Sequence, residues 1–150
     1  MESLTYESVS LFTLDGLNTK CKVLDVYDGD TVTVAIELNG FGFVKFNCRL
    51  FGIDTAEMRG GTVETKNNAV TARNTLIHLL TGIEIPDDHK LTRPEIRNRI
   101  NQSKNLVDCI FGEMDKYGRP LITLFDHNKS NINQLMIEKG LALPYFGGKK

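Results

Sequence analysis

The strand-like run Thr31-Val-Thr-Val-Ala-Ile36 stands between two Asx-Gly pairs, Asp28-Gly29 before it and Asn39-Gly40 after it. Val32, Val34 and Ile36 share one parity, which is the period of a strand with one buried face. Asx-Gly between apolar runs is the strongest short-range hairpin signal. The chain is thereby committed to a three-stranded antiparallel meander. Its first strand runs over Cys21–Val26, with Leu24 and Val26 expected on one face. Its third carries Val44, Phe46, Cys48 and Leu50 inward and points Arg49 the other way. Asp30 shares the inward parity of Val32, which is costly for a carboxylate unless something compensates it.

Downstream, residues 62–80 read as a helix capped by Thr62 and stopped by Gly82, with Val63, Val70, Ile77 and Leu80 near one stripe. Thr92-Arg-Pro-Glu95 is a capping box and opens a short helix over 93–103. Leu106 to Phe111 and Leu121 to Phe125 read as strands, and Ser130 opens a last helix ended by Gly140. Three strands, helix, two strands, helix is the order of an α+β, mainly β fold: a partly open five-stranded OB-type barrel with two to three helices. One domain is expected over 1–150, with an N-terminal arm over 1–19.

Composition narrows the function classes. The chain has 150 residues, 41% of them hydrophobic, and a net charge of −1. No run approaches the ~20 apolar residues of a membrane span, and no signal peptide is readable at the N-terminus. A chain this close to neutral cannot grip a polyanion through a broad positive field, so any phosphate contact must come from a few placed cations. Cys21, Cys48 and Cys109 lack metal-ligand spacing and read as buried free thiols in a reducing, intracellular compartment. His78, His89 and His127 have no ligand spacing with them.

Three distant stretches carry the candidate chemistry: Asp28-Gly-Asp30-Thr31, Arg49-Leu-Phe-Gly-Ile-Asp54-Thr55-Ala-Glu57 and Asp115-Lys116-Tyr117-Gly-Arg119. Asp30 and Asp54 with the Thr55 backbone carbonyl offer hard oxygens to a cation such as calcium. Glu57 lies beyond them and is placed to take a proton from water. Arg49 and Arg119 supply two planar forks that match phosphate oxygens. Each stretch also has a plain structural account, as a turn flanked by solvated charges.

The three motifs in this order resemble the thermonuclease family, whose best-known member is staphylococcal nuclease, and the similarity runs from about Cys21 to Phe146. The resemblance implies an OB barrel and calcium-dependent endonucleolytic cleavage of DNA and RNA that leaves 3′-phosphate ends. By motif, Asp30, Asp54 and the Thr55 carbonyl would be calcium ligands, and Glu57 the general base. Arg49 and Arg119 would bind the scissile phosphate, and Lys116 and Tyr117 the terminal phosphate of a nucleotide. Tyr145 or Phe146 would stack on a base, and Asn133 matches a structural asparagine. Magnesium or manganese would also suit the oxygen donors. The stretches Val26–Thr31 and Gly140–Gly148 are similar as well to thermonuclease-type proteins of large eukaryotic DNA viruses, which would set the chain in a host cell.

This sequence departs from the family pattern in several places, among them a short loop after Glu57 that lacks the lysine cluster some relatives have. Ala56 stands where a proline is usual, and residues 82–104 form an insertion carrying Lys90, Arg93, Arg97, Arg99 and Lys104. That insertion reads either as a solvated helix face or as a nucleic-acid contact strip. The rival function is an OB-fold module that binds nucleic acid without cutting it. Single-stranded DNA or RNA is the favoured partner in either case, with no membrane involved.

Overall fold

The meander forms as its hairpins require. In the computed structural model, which describes residues 1–103 and 105–147, β1 (Asn18–Asp28), β2 (Thr31–Leu38) and β3 (Gly42–Leu50) pair antiparallel in sequence order. Lys104 and residues 148–150 lie outside the described part. Val32, Val34 and Ile36 are buried, as their parity demands.

β1 breaks its own parity. Its register with β2 shifts between Val23 and Asp25 and again between Val26 and Asp28. A bulge adds a residue and re-aims the side chains that follow. Cys21, Val23 and Val26 therefore all point inward, Asp25 is buried with them, and Leu24, expected beside Val26, is only half-buried.

Gly29 also departs from the hairpin expectation. It is not among the positive-φ glycines, so the turn is not the type I′ form that Asp-Gly suggests. Crowding supplies the physical reason for glycine instead: a Cβ there would stand 2.8 Å from Ala72 Cβ and 2.9 Å from Thr55 Cγ2.

The helix α1 (Val63–Thr81) is capped by Thr62, whose hydroxyl accepts from the Thr65 amide while Thr65 Oγ1 accepts from the Thr62 amide. It ends at Gly82 in the left-handed region, and packs Ala69, Ala72, Leu76 and Ile77 inward. Val63, expected in this stripe, is exposed because the first turn lies outside the packed face. The helix α2 (Arg93–Asn101) is capped by Thr92, stops two residues short of the expected end, and lays the buried Ile96 and Ile100 into the core with β1 beside it.

β5 (Leu106–Met114) and β6 (Pro120–Phe125) complete a closed barrel in the order β1-β2-β3-β6-β5. The barrel is shut rather than partly open, since β5 pairs back onto β1 and β6 joins β3 in parallel through Arg49↔Leu121 and Leu50↔Ile122. α3 (Ile132–Glu138) starts after Asn131, not Ser130, because the Asn131 side chain accepts from the Gln134 amide. Asn133 then ties the closing seam. Its Oδ1 accepts from the Leu124 amide, and its Nδ2 donates to the carbonyls of Phe51 and Ile122.

A second, two-stranded sheet is not legible in the sequence: β4 (Ile53–Thr55) pairs with β7 (Ala142–Pro144). The three cysteines are free and buried in the core. Burial pushes the Cys48 thiol up to about 12. Among the described residues no helix is long and apolar enough to cross a membrane.

Candidate active site

One end of the barrel gathers five pieces of chain: the β1–β2 turn, the end of β3, the loop after β4, the β5–β6 turn and the residues after β7. They wall a cleft of about 780 Å³, a size suited to a small-molecule or nucleotide unit. Asp30, Arg49, Asp54, Glu57, Lys116, Tyr117, Arg119 and Tyr145 all line it. Thr55 does not; it is buried behind the wall.

Arg49 is the hub. The parity of β3 turns it away from the barrel core, yet the cleft leaves its side chain only 13% exposed. Its Nη1 lies 3.1 Å from Asp30 Oδ2, and its Nη2 lies 3.2 Å from Asp54 Oδ1 and 3.1 Å from the Ile53 carbonyl oxygen. A single guanidinium thus bridges two carboxylates that are distant in sequence. Burial opposes its charge, but Asp30 and Asp54 more than offset that and raise its pKa.

Asp30 is held from several sides. Its Oδ2 accepts from the Thr55 amide at 3.1 Å, and its Oδ1 accepts from the Thr31 hydroxyl at 3.1 Å. Burial works against ionisation, but the hydrogen bond with Asp28, the charge of Arg49 and these donors hold its carboxyl below the usual range. Asp28 shows the opposite behaviour. Burial first, then the charge of Asp30, push it up to about 7. Two adjacent carboxyls that cannot both ionise freely mark a spot where a cation would be stabilised.

The donor set fits a hard divalent cation in kind. The cleft wall offers the carboxylates of Asp30 and Asp54, and behind it Thr55 Oγ1 is buried without a hydrogen-bond partner among the described residues. Among those residues no three His, Cys, Asp or Glu side chains form a ready-made cage. A cation here would rest on Asp30 and Asp54 and draw the remainder of its shell from neutral oxygens.

Arg119 stands one residue before β6, not within it, and the turn positions it. Asp115 Oδ1 accepts from the amides of Tyr117 and Arg119, and its Oδ2 accepts from Arg119 Nε at 2.8 Å. Two cations lie near the Tyr117 ring, with Lys116 Nζ 5.2 Å and Arg119 Cζ 5.5 Å from its centroid. Across the cleft, the Tyr145 amide donates to the Gly52 carbonyl, and Arg49 Cζ lies 5.5 Å from the Tyr145 ring. Among the described residues no histidine lines the cleft.

A family model described as staphylococcal nuclease homologue matches residues 47–150. The chain belongs to that family. No curated protein matches it. The match covers Arg49, Asp54, Glu57 and Arg119, while Asp28 and Asp30 lie ahead of it on β1 and in the turn that follows. The fold supplies what the match leaves out, because the β1–β2 turn brings Asp30 onto Arg49.

Sequence reasoning misses several members of this cleft. Asp28 reads there only as a turn residue, and Asp115 only as the start of a motif. Tyr27 and Phe51 also line the cleft, as does Phe146, which the sequence offers beside Tyr145 as a stacking residue. The Phe51 and Phe146 rings meet edge to face at 5.7 Å between centroids. Aromatic residues beside the candidate motifs are the signal that could have found them.

Proposed function

We propose that the protein is a calcium-dependent endonuclease that hydrolyses phosphodiester bonds of DNA and RNA and leaves 3′-phosphate ends. One observation carries the proposal: Arg49 joins Asp30 and Asp54 within a cleft that Glu57 and Arg119 also line. Membership of a nuclease-type family supports it.

Asp30, Asp54 and the Thr55 carbonyl are the groups that would hold the cation, which when bound supplies positive charge to the phosphate and its attacking water. Arg49 and Arg119 bind the non-bridging oxygens and counter the charge that grows there in the transition state. Glu57 takes the proton of the attacking water as its oxygen bonds to phosphorus and the 5′-oxygen departs. Lys116 and Tyr117 contact the terminal phosphate, and Tyr145 stacks on a base. Stacking and phosphate contacts tolerate any base sequence, which suits single strands of either nucleic acid. Three buried free thiols suit a reducing compartment.

The test is digestion of single-stranded DNA and RNA with calcium, magnesium or manganese, and with chelator, followed by identification of the product ends. Release of 3′-phosphate fragments with calcium, abolished by chelator, is expected. Nucleotide binding without cleavage under any of the three metals would assign the protein to the non-cutting OB modules instead.

A further inference from the structure

The rim of the cleft continues onto α2. Tyr27 lines the cleft, is 41% exposed, and has Arg93 Cζ 5.2 Å from its ring centroid. Arg93 is the first residue of α2 and is firmly held: Nη1 donates to the Val26 carbonyl at 3.0 Å, and Nη2 to Asp25. One turn later, Arg97 Nε and Nη2 each lie 3.4 Å from the other Asp25 oxygen, while the Arg97 side chain is 62% exposed.

A third guanidinium adds to this positive charge. Arg73 of α1 is 3% exposed, and its Nη2 has no hydrogen-bond partner among the described residues. Burial and the like charge of Arg93 both lower its basicity. Asp25 is the carboxylate that pairs with Arg93 and with Arg97, so one negative charge is shared between two cations. A buried cation short of counter-charge is costly, and an anion arriving nearby reduces that cost. The chain as a whole carries a net charge of −1, so this excess is local.

We propose that Tyr27, Arg93 and Arg97, backed by the charge of Arg73, form a second phosphate subsite that takes the backbone of a single nucleic-acid strand leaving the cleft. The proposal rests on the nucleic-acid reading of the cleft and extends it. Tyr27 offers a face to the adjoining base. Arg93, pinned by Asp25 and backbone carbonyls, is pre-organised, and Arg97 presents the exposed end of the strip.

The test uses the full chain carrying Glu57→Gln, so that binding is read without cutting. Affinities for a 4-nucleotide and a 12-nucleotide single strand are measured against salt concentration, with and without Arg97→Glu, Arg97→Gln or Lys20→Glu, a site that pairs with Asp108 and not with Asp25. Both Arg97 changes should reduce the ratio of 12-mer to 4-mer affinity, about tenfold for Arg97→Glu. Either should make the salt slope for the 12-mer shallower by about one phosphate contact. Lys20→Glu, with the same net charge change as Arg97→Glu, should leave the ratio within about twofold. An unchanged ratio in both Arg97 variants, or an equal fall in Lys20→Glu, overturns the subsite while leaving the cleft reading intact. Failure of the parent protein to bind either strand overturns both.

Discussion

Asp115 Oδ2 accepts the Nε–H of Arg119 at 2.8 Å, across a turn whose two amides the same carboxylate also caps. A four-residue turn therefore sets the direction of a guanidinium that the proposed chemistry needs. Asp115→Ala removes three hydrogen bonds from a side chain that is 13% exposed. A loss of about 1–3 kcal/mol in urea unfolding is expected, with a fall in kcat larger than the rise in KM. Burial works against the Asp115 charge, but the Arg119 and Tyr117 amides and the Arg119 side chain hold its carboxyl below the ordinary range. A lowered carboxylate stabilises above its unfolded value and loses that contribution as pH falls through the folded one. The stability gap between wild type and Asp115→Asn should therefore persist above about pH 5 and shrink as pH falls below the unfolded carboxylate value of about 3.9 and on through the lower folded one.

Glu57→Gln keeps shape and removes the proposed base. Turnover should fall by about 10²–10⁴-fold while nucleotide affinity changes little, measured by single-turnover kinetics beside equilibrium binding. Arg119→Lys keeps the charge but loses the planar fork and the Nε contact to Asp115. A charge-assisted hydrogen bond is worth about 1.5–3 kcal/mol, so a loss of about tenfold to a hundredfold in kcat/KM is expected.

Gly29→Ala should destabilise by about 1–3 kcal/mol through overpacking, because the new methyl meets Ala72 and Thr55 at contact distances no side chain tolerates. The strain falls on Thr55, whose amide holds Asp30. Thermal unfolding reads the stability loss, and calcium titration should show weakened metal dependence of cleavage. A Gly29→Ala variant as stable as wild type would mean that the α1–turn contact is looser than described.

Asn133→Ala strips partners from the Leu124 amide and from the Phe51 and Ile122 carbonyls, all at the β3–β6–α3 junction. The Ile122 carbonyl still accepts from the Phe51 amide, so the Leu124 amide and the Phe51 carbonyl are the groups that lose most; at about 1–3 kcal/mol for each, a loss of about 2 kcal/mol or more is expected in chemical denaturation. Asn133→Asp keeps the acceptor but turns a buried carboxylate oxygen onto the Phe51 and Ile122 carbonyls, and at neutral pH should destabilise at least as much as Asn133→Ala.

Legibility in the sequence follows the range of the interaction. Val32, Val34 and Ile36, Thr62 and Thr92 can be read because strand parity and helix caps depend on neighbours a few positions away. Leu24 is misplaced by the same reasoning because a bulge interrupts that parity, and a bulge reflects pairing with another strand. Asp54 and Glu57 are readable as candidate groups. The pairing that brings the chain around Tyr145 beside them is not, because β4 and β7 are three residues each and far apart in sequence.

The amino-acid order alone determined the meander, the helices and the inventory of charged groups, since periodicity and turn chemistry act locally. Only the tertiary structure decided that Asp30 and Asp54 share Arg49, that Asp28 shifts against Asp30, and that Gly29 is needed for space rather than for φ. The physical reason is barrel closure. Burial and ion pairing arise when the β3–β6 seam shuts and brings remote turns to one rim, and no local pattern encodes that distance.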